Sequence, residues 1–542
     1  EMLKEEANRL QKIKGQLSDE EIEDIIRKTS ELKALQAAED PPEARATIPS
    51  LELSDLKREA AEYPIEVTEN EADTGITVAR HELASTSGIA YVNLAVDLST
   101  LPLEDVALIP LLTKIMTQTG AGEYDPVALA RRIGTHTGGV DVTLLSSAVH
   151  KEGVDESLAS DGENMVMKLI VQGKATSEKV DELFSLFKLI LTDARFDSKA
   201  KVIELLKESR SRMESQVQGA GHAIVNTRMK ARYRVAGYVD EMMRGITYLE
   251  NTKQLLKQAE EDWPSLLARL ERIRSTILDE ESCRSGMILD VTGDRGVLET
   301  IKPSMESFLK ELPGKPNGKK LPDFRTEIHP WVAEAKKQMA EKMPLVDEGF
   351  VVSTQVSYVG KTGLLYERGE RIPGSAAVVA NFLKTGYLWD HVRVMGGAYG
   401  GFCVFSPFSG LISFLSYRDP NLHKTIDVYD AAADALMEAA DALEADPQAL
   451  ATAIIGTVGD MDGALSPDQK GFTAFQRWLI NESPEFRQRY RDEVINTKPE
   501  DFRDFARRLK KMKDASVAVV SSKGAFEAAA KAGKAMHLKE IY

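Results

Sequence analysis

Apolar positions in the opening segment keep helical spacing, at Leu3, Leu10, Ile13 and Leu17 and again at Ile22, Ile25, Ile26, Leu32 and Leu35. That recurrence marks one face of a helix. Gly15 and the capping box Ser18-Asp19-Glu20-Glu21 fall between the two sets, where a first helix would stop and a second begin. The pattern predicts a charged helical hairpin over residues 1–40, ending at Pro41-Pro42. Its apolar stripe is thin, which suits a spacer or brace better than a chemical centre. A linker over 41–61 leads onward.

Beyond it the period changes. Residues 76–78 read as a strand, and Val92, Leu94, Val96 and Leu98 alternate with Tyr91, Asn93, Ala95 and Asp97, the two-residue period of a half-buried antiparallel strand. A helix through Leu108, Leu111, Leu112 and Ile115 comes next, then a short one with Asp125 as cap and Pro126 at its first position. Strands are expected at 140–149 and 165–171, helices at 177–191 and 198–217, and mostly helix from there to about Val297. A Pro/Gly/Lys stretch at 312–322 closes this first domain, 62–311. The second, 323–542, repeats the order: strand 350–358, helix 376–388, strands 402–405 and 411–417, and an Ala-rich helix 421–443.

Two stretches in corresponding places are near copies. Arg131-Arg132-Ile133-Gly134-Thr135-His136-Thr137-Gly138-Gly139-Val140 matches Arg393-Val394-Met395-Gly396-Gly397-Ala398-Tyr399-Gly400-Gly401-Phe402 in its Arg and its Gly-Gly pair. Such self-similarity is the mark of a duplicated unit. The fold class expected is therefore α+β: two duplicated domains, each an antiparallel sheet with helices on one side, behind a helical hairpin. Tyr399, where the first copy has Thr137, marks functional divergence.

The 542 residues suffice for roughly three to four domains. A net charge of -16 argues against nucleic acid or an anionic membrane as partner and mildly favours basic ligands. No run of about 18 apolar residues occurs. The acidic start inside a helical pattern is unlike a targeting peptide and suggests a piece of something longer. Cys283 and Cys403 are too few for a disulfide framework, read as core thiols and fit a reducing compartment.

None of the eight histidines has a partner four residues on, the spacing that sets two imidazoles on one helical face, so no zinc is expected in this chain. Nucleophile-elbow, P-loop and dinucleotide motifs are missing as well. What remains is Arg393 and Tyr399 around Gly396 and Gly397. Together they offer a forked cation and a phenol able to donate to a developing oxyanion, with glycines that let a peptide backbone approach. An Arg and a Tyr beside a Gly-Gly bend are also a common packing arrangement.

The segment Asn381-Phe382-Leu383-Lys384-Thr385-Gly386-Tyr387-Leu388-Trp389-Asp390-His391-Val392, continuing through Arg393 to Phe402, resembles the C-terminal half of presequence proteases, members of the pitrilysin-like inverzincins. The resemblance implies two duplicated halves closing around a peptide-filled chamber, with the opening hairpin as their hinge. It implies one zinc in the whole enzyme, bound by a His-x-x-Glu-His half that this sequence lacks. Arg393 and Tyr399 are then the catalytic and substrate-binding residues carried over, with Gly396 and Gly397 lining the approach. The partners implied are the N-terminal half of the same polypeptide and unfolded peptides such as cleaved targeting sequences, in the mitochondrial matrix or chloroplast stroma, and this chain alone would be inactive. The alternative is a non-catalytic peptide-binding or scaffold protein with the same duplicated fold.

Overall fold

The computed structural model describes residues 9–38, 41–49, 51–151, 157–512 and 514–541. Leu3 of the predicted hairpin, and Asp40 at its end, lie outside them. The segment up to Asp55 is one unit and Leu56–Tyr542 another. In the first, residues 9–14 are helical and a second helix spans Asp19–Ala37. Its start is fixed as the sequence predicts: Glu21 N donates to Ser18 Oγ, and Ser18 N donates to the Glu21 carboxylate.

The second unit holds two six-stranded sheets. The first comprises β1 (Glu66–Thr68), β2 (Thr77–Glu82), β3 (Ile89–Asp97), β4 (Val140–Ala148), β5 (Met165–Thr176) and β6 (Ile288–Gly293), ordered β1-β2-β6-β3-β5-β4. The second comprises β7 (Glu348–Val351), β8 (Tyr358–Leu364), β9 (Gly400–Phe405), β10 (Leu411–Tyr417), β11 (Ser516–Ser521) and β12 (His537–Glu540), ordered β12-β7-β11-β8-β10-β9. Without the outer strands β1 and β12, the two orders are identical strand for strand. The duplicated α+β architecture is thus present.

Two expectations need correction. Both sheets are mixed rather than antiparallel, because β6 runs parallel to β2 and β11 parallel to β7. Each chain leaves its sheet through a long helical excursion and returns between two existing strands, a connection long enough to permit parallel pairing. The strand expected at 350–358 is two strands, β7 and β8, separated by a turn at the polar run Ser353-Thr354-Gln355. No helix or strand lies between Glu311 and Val332. Among the described residues no helix is long and apolar enough to cross a membrane.

The sheets bury both faces. Val92, Leu94 and Val96 of β3 point into the first domain's helix layer, as their alternation predicts. The opposite face, with Ala79, Ala95, Ile170 and Ile288, packs against Phe475 and Leu479 of a second-domain helix, Pro467–Leu479. The exchange is reciprocal. Tyr358, Leu415, Ala518 and Val520 of the second sheet pack against Ile224, Val225 and Met229 of a first-domain helix, Gly221–Lys230. That helix also carries charge into the interface, where Arg228 grips Glu348 of β7 with both Nε and Nη2 at 2.8 Å.

Candidate functional site

The helix Ser375–Thr385 buries Ala376, Val378, Val379, Ala380 and Leu383, which anchors it beside β9. After a break at Gly386 the chain makes only two further α-helical residues, Tyr387 and Leu388. It forms a π-helix over Trp389–Val394, in which Met395 N donates to Asp390 O at 2.8 Å, five residues back. Such widened turns are rare and occur often at functional sites. The guanidinium of Arg393 lies 4.0 Å from the Trp389 ring centroid and 5.9 Å from that of Tyr399.

Next comes the bend. Gly397 N donates to Arg393 O and Ala398 N to Val392 O, while Asn421 Nδ2 donates to Gly396 O at 2.6 Å. Gly397 has φ +79°, the left-handed region that favours glycine. At Gly396 a Cβ would sit 2.5 Å from the Val392 carbonyl oxygen, so both glycines are structural requirements of the bend. Asn421 is itself held: its N–H donates to Asp419, which also accepts from Thr425 Oγ1 at 2.7 Å. Burial pushes the Asp419 carboxyl up, against those hydrogen bonds.

Tyr399 N then donates to Tyr417 O at 3.0 Å, and the two rings meet edge-on at 5.7 Å. Behind Tyr417 stands His222 from the first domain, 4.8 Å away between ring centroids. Burial pushes the His222 imidazole down in pKa, and its Nδ1 is enclosed without a hydrogen-bond partner among the described residues. The Tyr399 side chain itself is 67% exposed. Among the described residues neither its hydroxyl nor the Arg393 guanidinium has a hydrogen-bonding or ionic partner. A donor fork and a phenolic donor, held by aromatic stacking and left unsatisfied on an open surface, can bind carbonyl oxygens or a developing oxyanion.

The first copy has the same topological place and a different local structure. Arg131 and Thr137 lie at the end of an ordinary α-helix, Pro126–His136, before β4. The hydroxyl of Thr137 is consumed in closing that helix, donating to Ile133 O at 2.7 Å. The left-handed glycine there is Gly139, which matches Gly401, whereas Gly400 and Gly401 are extended residues of β9. The matching glycine pairs therefore do not form one bend in both copies. The π-turn moves the reversal upstream to Gly397 and lets the edge strand begin earlier.

Trp389, Tyr417, His222 and Asn421 were not singled out by sequence. Trp389 precedes Arg393 by one helical turn, a spacing that could have found it; the others converge from distant segments. Among the described residues no group of three or more His, Cys, Asp or Glu side chains could hold a metal ion. His81 has one carboxylate contact, Nε2 to Asp290 Oδ1 at 2.6 Å, and its other nitrogen is taken by Pro64 O. The residues present do not fit a zinc centre.

Residues 1–255 match the family model for the associated region of M16 peptidases of subfamily C, and residues 347–523 match "PreP C-terminal domain". Presequence protease 1, chloroplastic/mitochondrial, of Arabidopsis thaliana is 38% identical over 515 residues, covering 95% of this chain and 44% of that protein. Protein HypA of Clostridium perfringens is 28% identical over 93% of this chain and 47% of its own length. The mitochondrial presequence protease of Xenopus laevis is 24% identical over 91% and 46%. The chain thus spans less than half the length of these curated relatives. In fold it is similar to the crystal structure of pitrilysin, with a TM-score of 0.52 at 12% identity over 94% of this chain and 48% of that one. A peptidase M16 inactive domain from Pseudomonas fluorescens gives 0.56 at 13% identity over 85% and 98%.

Proposed function

The chain belongs to the presequence protease family of M16 peptidases and corresponds to its C-terminal half, and on that premise we propose that it supplies the substrate-holding wall of a peptidase active site. Arg393 donates its fork to a backbone carbonyl of the peptide and fixes the register. Tyr399 donates its phenolic hydrogen to the oxygen of the scissile carbonyl as that oxygen gains charge. The metal and the general base belong to the other half of the same polypeptide.

The observation that carries this reading is a pair of donors without a protein partner among the described residues, the Arg393 guanidinium lying 4.0 Å from the Trp389 ring and 5.9 Å from that of Tyr399 on an exposed bend. The substrates proposed are short unfolded peptides such as cleaved targeting sequences, which are basic and acid-poor and complement a net charge of -16. The plant relative is named for chloroplast and mitochondrion and the amphibian one for the mitochondrion, so the compartment proposed is one of these.

The test is hydrolysis of a basic peptide of about 20 residues by this chain, by the longer polypeptide, and by this chain mixed with a half bearing His-x-x-Glu-His. Activity is expected in the second and third samples only. A longer polypeptide that binds the peptide without cutting it would favour the scaffold alternative.

One residue gains a role from the geometry. Trp389 is a positioning residue for Arg393, because its ring holds the guanidinium without neutralising it. Trp389→Leu is expected to lower kcat/KM of the intact enzyme roughly 3- to 30-fold, the range of a cation–π contact. Trp389→Phe should recover most of that loss, since a ring is restored. Equal losses in both variants would remove Trp389 from the site.

A further inference from the structure

The two sheets have four outer strands, and three of them carry charge. Glu66 lies on β1, an exposed Asp141 on β4, and Lys539 and Glu540 on β12. Charges on outer strands discourage pairing with a further strand. The fourth, β9, reads Gly-Gly-Phe-Cys-Val-Phe, with neither charge nor proline. It pairs with β10 on one side, and among the described residues no other backbone group bonds to residues 400–405. One side of its backbone is therefore an open template.

Apolar exposure is concentrated along the same strip. Among the described residues from 56 to 541, eleven large apolar side chains are exposed, and six of them are Trp389, Val394, Met395, Tyr399, Val404 and Met461. The first four surround the Arg393 bend. Val404 and Met461 line a groove of about 430 Å³ beside β9, with Ala377 and Ala380 as its floor and Asn381, Lys384 and Asp460 at its polar rim. Exposed apolar side chains gathered in this way mark an interaction site rather than ordinary surface.

We propose that β9 is a docking edge for an extended peptide, which adds to the second sheet as a further strand and places alternate side chains in the Val404–Met461 groove. The proposal rests on the reading of Arg393 and Tyr399 as a peptide site, and it extends that site along the strand that starts one residue after Tyr399. Continuity selects the occupant. Two such donors at the head of a strand with one open edge call for backbone carbonyls in line with that strand. An added peptide strand gains affinity from main-chain hydrogen bonds and selectivity from pockets for alternate side chains.

The test uses this chain with a basic peptide of about 20 residues and with the same peptide N-methylated at alternate backbone amides. Amide hydrogen exchange at residues 400–405 is expected to slow on adding the unmodified peptide. Methylation is expected to weaken binding about tenfold or more, because it removes the ladder donors. Val404→Lys, which adds the charge this edge lacks, is expected to weaken binding about tenfold with the thermal midpoint unchanged. Protection confined to 389–399, with methylated and unmethylated peptides binding equally, would overturn strand docking and leave the reading of Arg393 and Tyr399 standing. Binding with no protection anywhere in 389–405 would overturn both. Protection of 400–405 that depends on protein concentration without peptide, with a dimer in sedimentation, would assign the edge to a second copy and overturn the proposal.

Discussion

Tyr399→Phe is expected to lower turnover of a peptide by the intact enzyme about 10²-fold or more, with the fold and the metal content of the other half unchanged. Loss of one oxyanion donor costs about 3 kcal/mol of transition-state stabilisation. The phenylalanine ring would keep the edge-on contact with Tyr417 at 5.7 Å and the backbone bond to Tyr417 O, so only the hydroxyl is lost. Because that hydroxyl bonds nothing in the described residues, its removal should not move the thermal midpoint. Arg393→Lys should also be harmful, since an ammonium lacks the planar fork and stacks less well on Trp389. The controls are Thr137→Val and Arg131→Lys in the first copy, where the hydroxyl is committed to closing a helix and Arg131 stands exposed. Full activity in Tyr399→Phe, with loss in Arg131→Lys, would assign the site to the wrong repeat.

What the sequence revealed follows from how each element is solvated. The strand β3 was legible because its second face is only partly covered, with Tyr91, Asn93 and Asp97 half-buried, and helix starts with side-chain caps such as Ser18 and Asp125 were legible because the cap is local. The strands β6 and β11 were not. All six residues of each are buried, so Ile288-Leu289 and Val517 to Val520 show no alternation, and a short apolar run cannot be told from buried helix. The second sheet faces are hidden for a related reason. Ala95 and Ile170 are covered by Phe475, a contact between distant segments that periodicity cannot report.

Of the candidate site, the sequence offered the two residue types but not the structure that supports them. Arg393 and Tyr399 stood out as residue types around glycines. No local pattern announces that Trp-Asp-His-Val-Arg-Val will wind as a π-helix, yet this turn sets Arg393 on Trp389 and shifts the bend from the position used by the first copy. His222 reaches Tyr417 because the first domain's Gly221–Lys230 helix lies on the second sheet, so one domain backs the candidate bend of the other.

That interdomain contact should also dominate stability through Glu348. This carboxylate accepts from Arg228 at two positions and from Arg232, while Arg228 Nη1 reaches Glu241 at 3.3 Å. The side chains of Arg232 and Glu241 are fully buried and that of Arg228 nearly so. Glu348→Leu leaves two buried guanidinia with one carboxylate between them, and it is expected to cost about 3–5 kcal/mol in urea unfolding, the penalty of breaking a buried ion pair from one side. Adding Arg228→Met and Arg232→Met should recover much of that loss, because an apolar replacement of the whole group removes the desolvation penalty along with the attraction. The pH dependence has a definite sign. Burial works to raise the Glu348 carboxyl, but its bonds and proximity to Arg228 and Arg232 prevail and hold it below the ordinary carboxylate range. A group depressed in the folded state contributes stability above its unfolded pKa and loses it as pH falls through the folded value. Burial raises Glu241 and gives it the opposite slope, so the comparison must be made between protein with and without Glu348. The deficit of Glu348→Leu should be full near about pH 7 and shrink toward about pH 3. A deficit that is small at neutral pH, or that grows on acidification, would show that the domains are held together by the apolar contacts of Tyr358, Leu415 and Met229 without help from these charges.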